Sequence, residues 1–113
     1  MDTLDARASF KGWTRPGPVP KGGVDVSDDE SLDYLSGHWR IFQYKTGHRF
    51  STDDVVLAWY ASQWAPRVDR YCDLGCGIGS VALSVAWRLP GCSVVTVEAQ
   101  EISLRLQKKS IAY

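Results

Sequence analysis

Hydrophobic and polar residues follow two periodicities in the part of the chain that begins at His38. Short β-prone runs predict strands at residues 39–44, 70–74 and 93–98, the last of them β-branched and buried. Helical spacing predicts a helix at 80–89 and another from about residue 101, still continuing at Tyr113. Strand, helix and strand in this order predict a right-handed βαβ unit with parallel strands. The predicted fold class is therefore α/β.

A hairpin and a helix are predicted ahead of this unit. Residues 39–44 form the first hairpin strand and residues 45–48 its turn, before the chain returns at Arg49. Ser51 or Thr52 then caps a helix, because a side-chain oxygen can accept hydrogen bonds from the free N–H groups of the first turn. Pro66 would end the helix. Apolar residues at helical spacing predict the face that packs on the core: Leu57, Tyr60, Ala61 and Trp64.

Residues 1–36 differ in composition and are interpreted as an irregular, flexible arm. Residues 12–23 contain too many Gly and Pro for a regular element, and the acidic run at 25–33 is interpreted as a solvated segment. The domain is then residues 37–113. The arm holds four Lys or Arg against seven Asp or Glu, and the domain nine against six. A slightly basic domain is compatible with a nucleic-acid partner without being evidence for one.

Composition bounds the class of protein. A chain of 113 residues with 44% apolar residues can build the core of one domain. The acidic start lacks an apolar signal core, and no apolar run has the length of a membrane helix, so a cytoplasmic location, with a nuclear one as alternative, is predicted. The three cysteines, Cys72, Cys76 and Cys92, form no C-x-x-C pair, so reduced thiols rather than a metal site are expected.

A glycine turn joins the first parallel strand to its helix, in the sequence Asp73-Leu-Gly-Cys-Gly-Ile-Gly79. Glycines allow backbone angles closed to other residues and let a ligand touch the main chain. Ligands bind at the carboxyl ends of parallel strands, where the first N–H groups of the next helix also point. Glu98 ends the second strand, where a carboxylate can accept both hydroxyls of a ribose. Asp73 can hold a cationic amine.

Two cofactor classes compete for this turn. A dinucleotide fingerprint requires G-x-G-x-x-G, whereas this chain has the spacing G-x-G-x-G. Asp73 would also repel a pyrophosphate, but it suits the ammonium group of a methionine moiety. The charge therefore favours S-adenosylmethionine over NAD. A turn that binds no ligand is the third alternative, which the compatible spacing of Asp73 and Glu98 disfavours.

These residues resemble a known family. The run from Asp73 to Gly79 is similar to the first motif of class I S-adenosylmethionine-dependent methyltransferases, and Val97-Glu98 is similar to their second. Residues 49–57 resemble the G-T-D-x-x-L-L helix start of a small-domain group that includes tRNA methyltransferases acting on the exocyclic amine of adenine. The resemblance covers about residues 37–113. It implies a partial Rossmann-like fold and an S-adenosylmethionine site.

The resemblance also implies roles for individual residues. The main chain of the glycine turn would line the methionine portion of the cofactor, and Asp73 would receive its amino group. Glu98 would accept the ribose hydroxyls, with Ala99 near the adenine. Thr52 and Asp53 match the helix start that closes over the methionine end, although simple helix capping explains them equally well. The implied cofactor-binding residues are Thr52, Asp53, Asp73, Gly75, Cys76, Gly77, Glu98 and Ala99.

One family feature is missing. The family carries a catalytic Asn/Asp-Pro-Pro-Tyr/Phe motif after the fourth strand, whereas no two of the five prolines here are adjacent. We therefore expect an amino-terminal fragment of a longer methyltransferase that acts on an amine, with adenine in tRNA or another RNA as a candidate acceptor, and no catalytic residue in this chain. The alternative is a non-catalytic half domain. Its open sheet edges would favour self-association or completion by another chain.

Overall fold

A computed structural model describes residues 9–10, 13–14 and 20–113. This part of the chain is mixed α/β, with three helices, a parallel pair of strands and an antiparallel hairpin. The elements are β1 Ser9–Phe10, β2 Trp13–Thr14, β3 Glu30–Ser36, β4 Trp39–Tyr44, α1 Thr52–Trp64, β5 Arg70–Leu74, α2 Ser80–Arg88, β6 Ser93–Val97 and α3 Glu101–Ala112.

The predicted strand–helix–strand–helix order of the second half is confirmed. Strands β5 and β6 are parallel, with Arg70 opposite Ser93 and Leu74 opposite Val97, and α2 forms the connection between them. Helix α3 begins at Glu101, as the pattern predicts. The sequence places these elements well because a β-branched strand and Gly or Pro boundaries leave little freedom.

The hairpin lies earlier in the chain than predicted. Strand β3 pairs antiparallel with β4 from Glu30 opposite Tyr44 to Ser36 opposite Trp39, and Gly37 turns the chain with a φ of 55°. Residues 45–50 contain no strand. The interpretation of residues 30–36 as irregular chain is therefore wrong. The acidic composition of this segment is typical of solvated chain. The segment nevertheless forms a strand, because its polar groups find hydrogen-bond partners across the hairpin. Strands β1 and β2 also form a short antiparallel pair within the proposed arm.

The hydrophobic core lies between this hairpin and α3. Ile41 and Phe42 of β4 are fully buried and pack with Leu106 of α3 and Ile78 of the glycine turn. The Phe42 N–H donates to the hydroxyl of Ser110 at 2.9 Å, a buried contact between residues far apart in sequence. The hairpin is thus part of the core of the domain.

An ion pair joins the start of the hairpin to α3. Glu30 is only 5% exposed, and its carboxylate accepts a hydrogen bond from Lys109, whose ammonium also lies 4.8 Å from the centre of the Phe42 ring. Burial by itself raises the pKa of Glu30, but hydrogen bonds from Lys109 and Ser27 outweigh it, so the pKa lies below its usual value. The interpretation of the acidic run as wholly solvated is therefore wrong at Glu30.

Helix α1 packs through a different face from the one predicted. Leu57, Tyr60 and Trp64 are exposed, Trp64 by 81%, whereas the buried residues are Ala58 and Ser62. The helix has apolar residues on nearly every side, so their spacing does not select a face. Small side chains let α1 approach α2 closely, and Arg88 of α2 donates to the Ser62 hydroxyl at 2.8 Å.

The parallel pair has one covered face and one open face. Tyr71, Asp73, Val94 and Thr96 point to the covered side and are partly buried. The sequence predicts that strand β6 is buried. This prediction is wrong for the side of the sheet opposite to these four residues, where the side chains are exposed. We call that side the open face, and it consists of four exposed residues: Cys72, Leu74, Val95 and Val97.

Candidate functional site

The glycine turn is held against the end of β6 by its own backbone. The N–H groups of Gly75 and Cys76 both donate to the carbonyl of Val97, at 2.8 and 3.2 Å. Gly75, Gly77 and Gly79 have φ values of 68°, 56° and 90°, which a side chain would strain. Gly79 is the N-cap of α2, so the turn leads directly into that helix.

Glu98 directly follows β6 and lies against this turn. One carboxylate oxygen accepts from the Gly77 N–H at 2.6 Å and the other from the Gln100 N–H at 2.9 Å. These backbone hydrogen bonds, first that of Gln100 and then that of Gly77, lower the pKa of Glu98. The carboxylate is therefore ionised at neutral pH and fixed at the end of β6. Ala99 follows it and is exposed.

Asp73 is placed less favourably. Burial raises the pKa of Asp73, and the nearby charges of Asp54 and Glu98 raise it further, against a lowering hydrogen bond from the Ala82 N–H. Its Oδ2 atom is buried without a hydrogen-bond partner, which among the described residues is otherwise found only for the Ser84 hydroxyl. A buried carboxylate oxygen without a donor costs free energy. A hydrogen-bond donor at this oxygen would remove that cost.

The start of α1 contributes a residue that the sequence reasoning missed. Thr52 and Asp53, which the resemblance implies as cofactor residues, are both exposed. Asp54 instead reaches α2: one oxygen accepts from the Ser80 hydroxyl at 2.9 Å and from the Ser51 N–H at 3.3 Å. An acidic residue in the first turn of a helix is ordinarily explained by its favourable interaction with the helix dipole. Nothing in the local pattern indicates a contact with a residue 26 positions later.

The Cys76 side chain points away from the strand ends, towards α3. Its sulfur accepts from the side-chain amide of Gln107 at 2.9 Å, and the Gln107 oxygen accepts from the Thr96 hydroxyl, also at 2.9 Å. Gln107 is only 2% exposed. A Cβ atom at Gly79 would lie 2.9 Å from its Cγ atom. Gln107 therefore packs against the glycine turn on the side of α3 and helps to fix its shape. A polar residue within a predicted helix does not indicate such a role.

A separate cavity of about 480 Å³ opens behind the site, between α2, β6, α3 and the hairpin. It shares Ala82 and Gln107 with the surroundings of the turn, but it includes none of the three turn glycines. Within residues 20–113, no cluster of His, Cys, Asp and Glu is arranged to hold a metal ion. The described helices include none that is long and apolar enough to cross a membrane.

Together, the site presents two carboxylates, Asp73 and Glu98, at the carboxyl ends of two parallel strands, with Asp54 close by. Ionised carboxylates so placed repel a polyanion such as a pyrophosphate and attract a cation. Comparison with known proteins adds no assignment: no protein-family model matches the chain, and no curated protein is found as a relative.

Proposed function

We propose that this chain forms the cofactor-binding part of an S-adenosylmethionine-dependent methyltransferase. The pair of carboxylates, Asp73 and Glu98, at the ends of two parallel strands beside a glycine turn is the observation that carries the proposal, because together they suit a ligand with a cation and hydroxyl groups. The parallel βαβ unit supports a Rossmann-like relationship, since that fold binds nucleosides at this edge of its sheet.

The residues present fit each part of this cofactor. Asp73 would accept from its ammonium group and Glu98 from its ribose hydroxyls, while Ala99 would contact the adenine. The main chain of Gly75, Cys76 and Gly77 would line the methionine portion, as the resemblance implies. Exposed Thr52 and Asp53 would meet the methionine end from α1.

The cofactor supplies a methyl group bonded to a positively charged sulfur. When the bond between carbon and sulfur breaks, the sulfur keeps the electron pair and leaves readily as a neutral thioether. The protein then needs mainly to align the acceptor nitrogen with that methyl group. The acceptor lone pair forms the new bond, and the nitrogen loses a proton. We propose an amine acceptor, with adenine in tRNA or another RNA as the candidate that the resemblance favours. No residues of this chain match the family motif that holds the acceptor.

Binding can be tested by titrating the ¹⁵N-labelled chain with S-adenosylhomocysteine and following its amide NMR signals. We expect the largest shifts at Gly77 and Gln100, because both N–H groups donate to Glu98. A Glu98→Ala variant should lose this response, and an exposed Asp69→Asn variant should keep it. An unchanged spectrum at millimolar ligand, or shifts confined to the separate cavity, would contradict the proposal. We expect no methyl transfer by these 113 residues alone.

The open face favours a second candidate, a half domain completed by another chain. Leu74 is 77% exposed, and Val95 and Val97 are each at least half exposed, on a sheet of only two strands. Unpaired strand edges and apolar faces promote association. Analytical ultracentrifugation tests this candidate: a strictly monomeric chain with full helix content would count against self-association.

A further inference from the structure

We propose that Asp54 sets the preference of this site for the positively charged cofactor over its neutral product. This inference rests on the proposed function and deepens it. S-adenosylmethionine and S-adenosylhomocysteine share adenosine, amine and carboxylate, and differ in the methyl group and in the charge on sulfur. A residue that distinguishes the two ligands must therefore respond to that charge or to the methyl group.

The geometry holds the Asp54 carboxylate next to the site. Its hydrogen bond from the Ser80 hydroxyl, at 2.9 Å, joins it to the first residue of α2, immediately after the glycine turn. Ser80 is buried and Asp54 is partly buried, so the contact is partly shielded from water. The bond from the Ser51 N–H fixes the carboxylate from the other side. The charge is thus anchored between two helix starts instead of extending into solvent.

Asp54 also acts on the residue that would hold the cofactor amine. Its charge and that of Glu98 both raise the pKa of Asp73, although burial is the larger cause, so the three carboxylates share one electrostatic environment. Such an environment stabilises each additional positive charge on a ligand. The sulfonium ligand carries one more positive charge than the thioether and gains accordingly. After methyl transfer this gain disappears, which would promote release of the product.

The test compares dissociation constants for both ligands, measured by calorimetry on the whole chain and three variants. Asp54→Asn keeps an oxygen that can accept from Ser80, but it removes the charge. Ser80→Ala removes the hydrogen bond and keeps the charge. Asp69→Asn removes a charge at the other end of β5, about 13 Å or more along the strand. Circular dichroism checks the folding of each variant.

The preference is the ratio of the dissociation constants of the two ligands. We expect Asp54→Asn to reduce the preference for S-adenosylmethionine by about three- to tenfold, mainly by lowering the affinity for that ligand. Ser80→Ala and Asp69→Asn should change the preference by less than about twofold. In the unaltered chain, raising the salt concentration from about 0.01 M to about 1 M should also reduce the preference. This last measurement needs no variant and therefore does not depend on how Asp54→Asn folds.

If Asp54→Asn lowers the affinity for both ligands equally, the residue has a purely structural role. That result would overturn this inference and leave the proposed function standing. A preference that salt does not change would also overturn it. If the unaltered chain binds neither ligand, the proposed function fails and the inference fails with it.

Discussion

The hairpin with α3 and the parallel pair with α1 bury their apolar residues very differently. In the first region Ile41, Phe42 and Leu106 are almost completely buried. In the second, Leu74 and Trp64 are more than three quarters exposed, although the sequence predicts a buried strand β6 and an apolar contact face on α1. Stability within these residues therefore comes mainly from the first region, while the candidate site lies mainly on the second.

Ile78 connects the two regions. It belongs to the glycine turn, yet it packs in the core with Phe42 and Leu106. Gln107 of α3 adds a polar contact to the same turn through Cys76. The turn can thus keep its shape although one face of its sheet is open. The shape of the site therefore depends on the hairpin and on α3 as well as on the parallel pair itself.

The largest effect is expected from Phe42→Ala. Removing a fully buried ring leaves a cavity, so the free energy of unfolding should fall by about 3–5 kcal/mol. The matched change on the open face, Val95→Ala, should cost less than about 1 kcal/mol, because Val95 is already more than half exposed. Urea unfolding followed by circular dichroism measures both. Similar losses for the two variants would abolish the distinction between the regions.

A smaller effect is expected from Lys109→Met. This change leaves the buried Glu30 carboxylate without its ammonium partner and should cost about 2 kcal/mol at neutral pH. Lys108→Met removes the same group from an exposed neighbour and should cost less than about 0.5 kcal/mol. The same unfolding experiment compares the two. A loss no larger for Lys109→Met would mean that the ion pair contributes nothing to the first region.

Acid should weaken the hairpin. Burial raises the pKa of Glu30, but its hydrogen bonds lower it more; the pKa of Asp33 is lowered by hydrogen bonds from Gln43 and Ser31. A carboxyl group with a depressed folded pKa stabilises the fold above its unfolded value, about 4, and loses that contribution as the pH falls through the folded value. Unfolding midpoints should therefore decrease from about pH 5 to about pH 3. Lys109→Met should flatten this decrease, and an unchanged slope would argue against the Glu30 contribution.

The smallest effect has the opposite sign. Burial raises the pKa of Asp73, and the charges of Asp54 and Glu98 raise it further, so its ionised form destabilises the ligand-free chain as the pH rises above the unfolded value. Asp73→Asn should therefore increase the thermal midpoint slightly at neutral pH while weakening S-adenosylhomocysteine binding. Asp69→Asn, on an exposed residue, is the control. A destabilised Asp73→Asn chain would show that the carboxylate is needed for folding.

Sequence reasoning placed the glycine turn, both parallel strands and the helices after them, because those elements are encoded by local spacing. It placed Glu98 at the end of the second parallel strand, but it gave no indication that the Gly77 N–H donates to that carboxylate at 2.6 Å. The sequence did not predict features that depend on contacts between residues far apart in the chain. Strand β3 forms because β4 and Arg49 satisfy its polar groups, and Arg49 donates to Asp33 at 3.1 Å. The face of α1 follows from small residues that fit against α2, which an all-round apolar helix does not reveal.

Asp54 and Gln107 are the two site residues that local patterns could not indicate. Each makes its decisive contact more than 25 positions away, Asp54 with Ser80 and Gln107 with Cys76. A carboxylate at a helix start and an amide within a helix are both ordinary surface residues in most sequences. Their roles depend on which elements meet, and that information lies in the tertiary structure.

The ion pair between Glu30 and Lys109 also has a consequence for synthesis on the ribosome, because its partners are 79 residues apart. Tyr44 completes the hairpin 65 residues before Lys109, so at about 5–20 residues per second the hairpin waits roughly 3–13 seconds for its helical partner. A two-stranded hairpin is only marginally stable in water. During that interval Ile41 and Phe42 are open to chaperones, and this core can fold only after α3 has been synthesised.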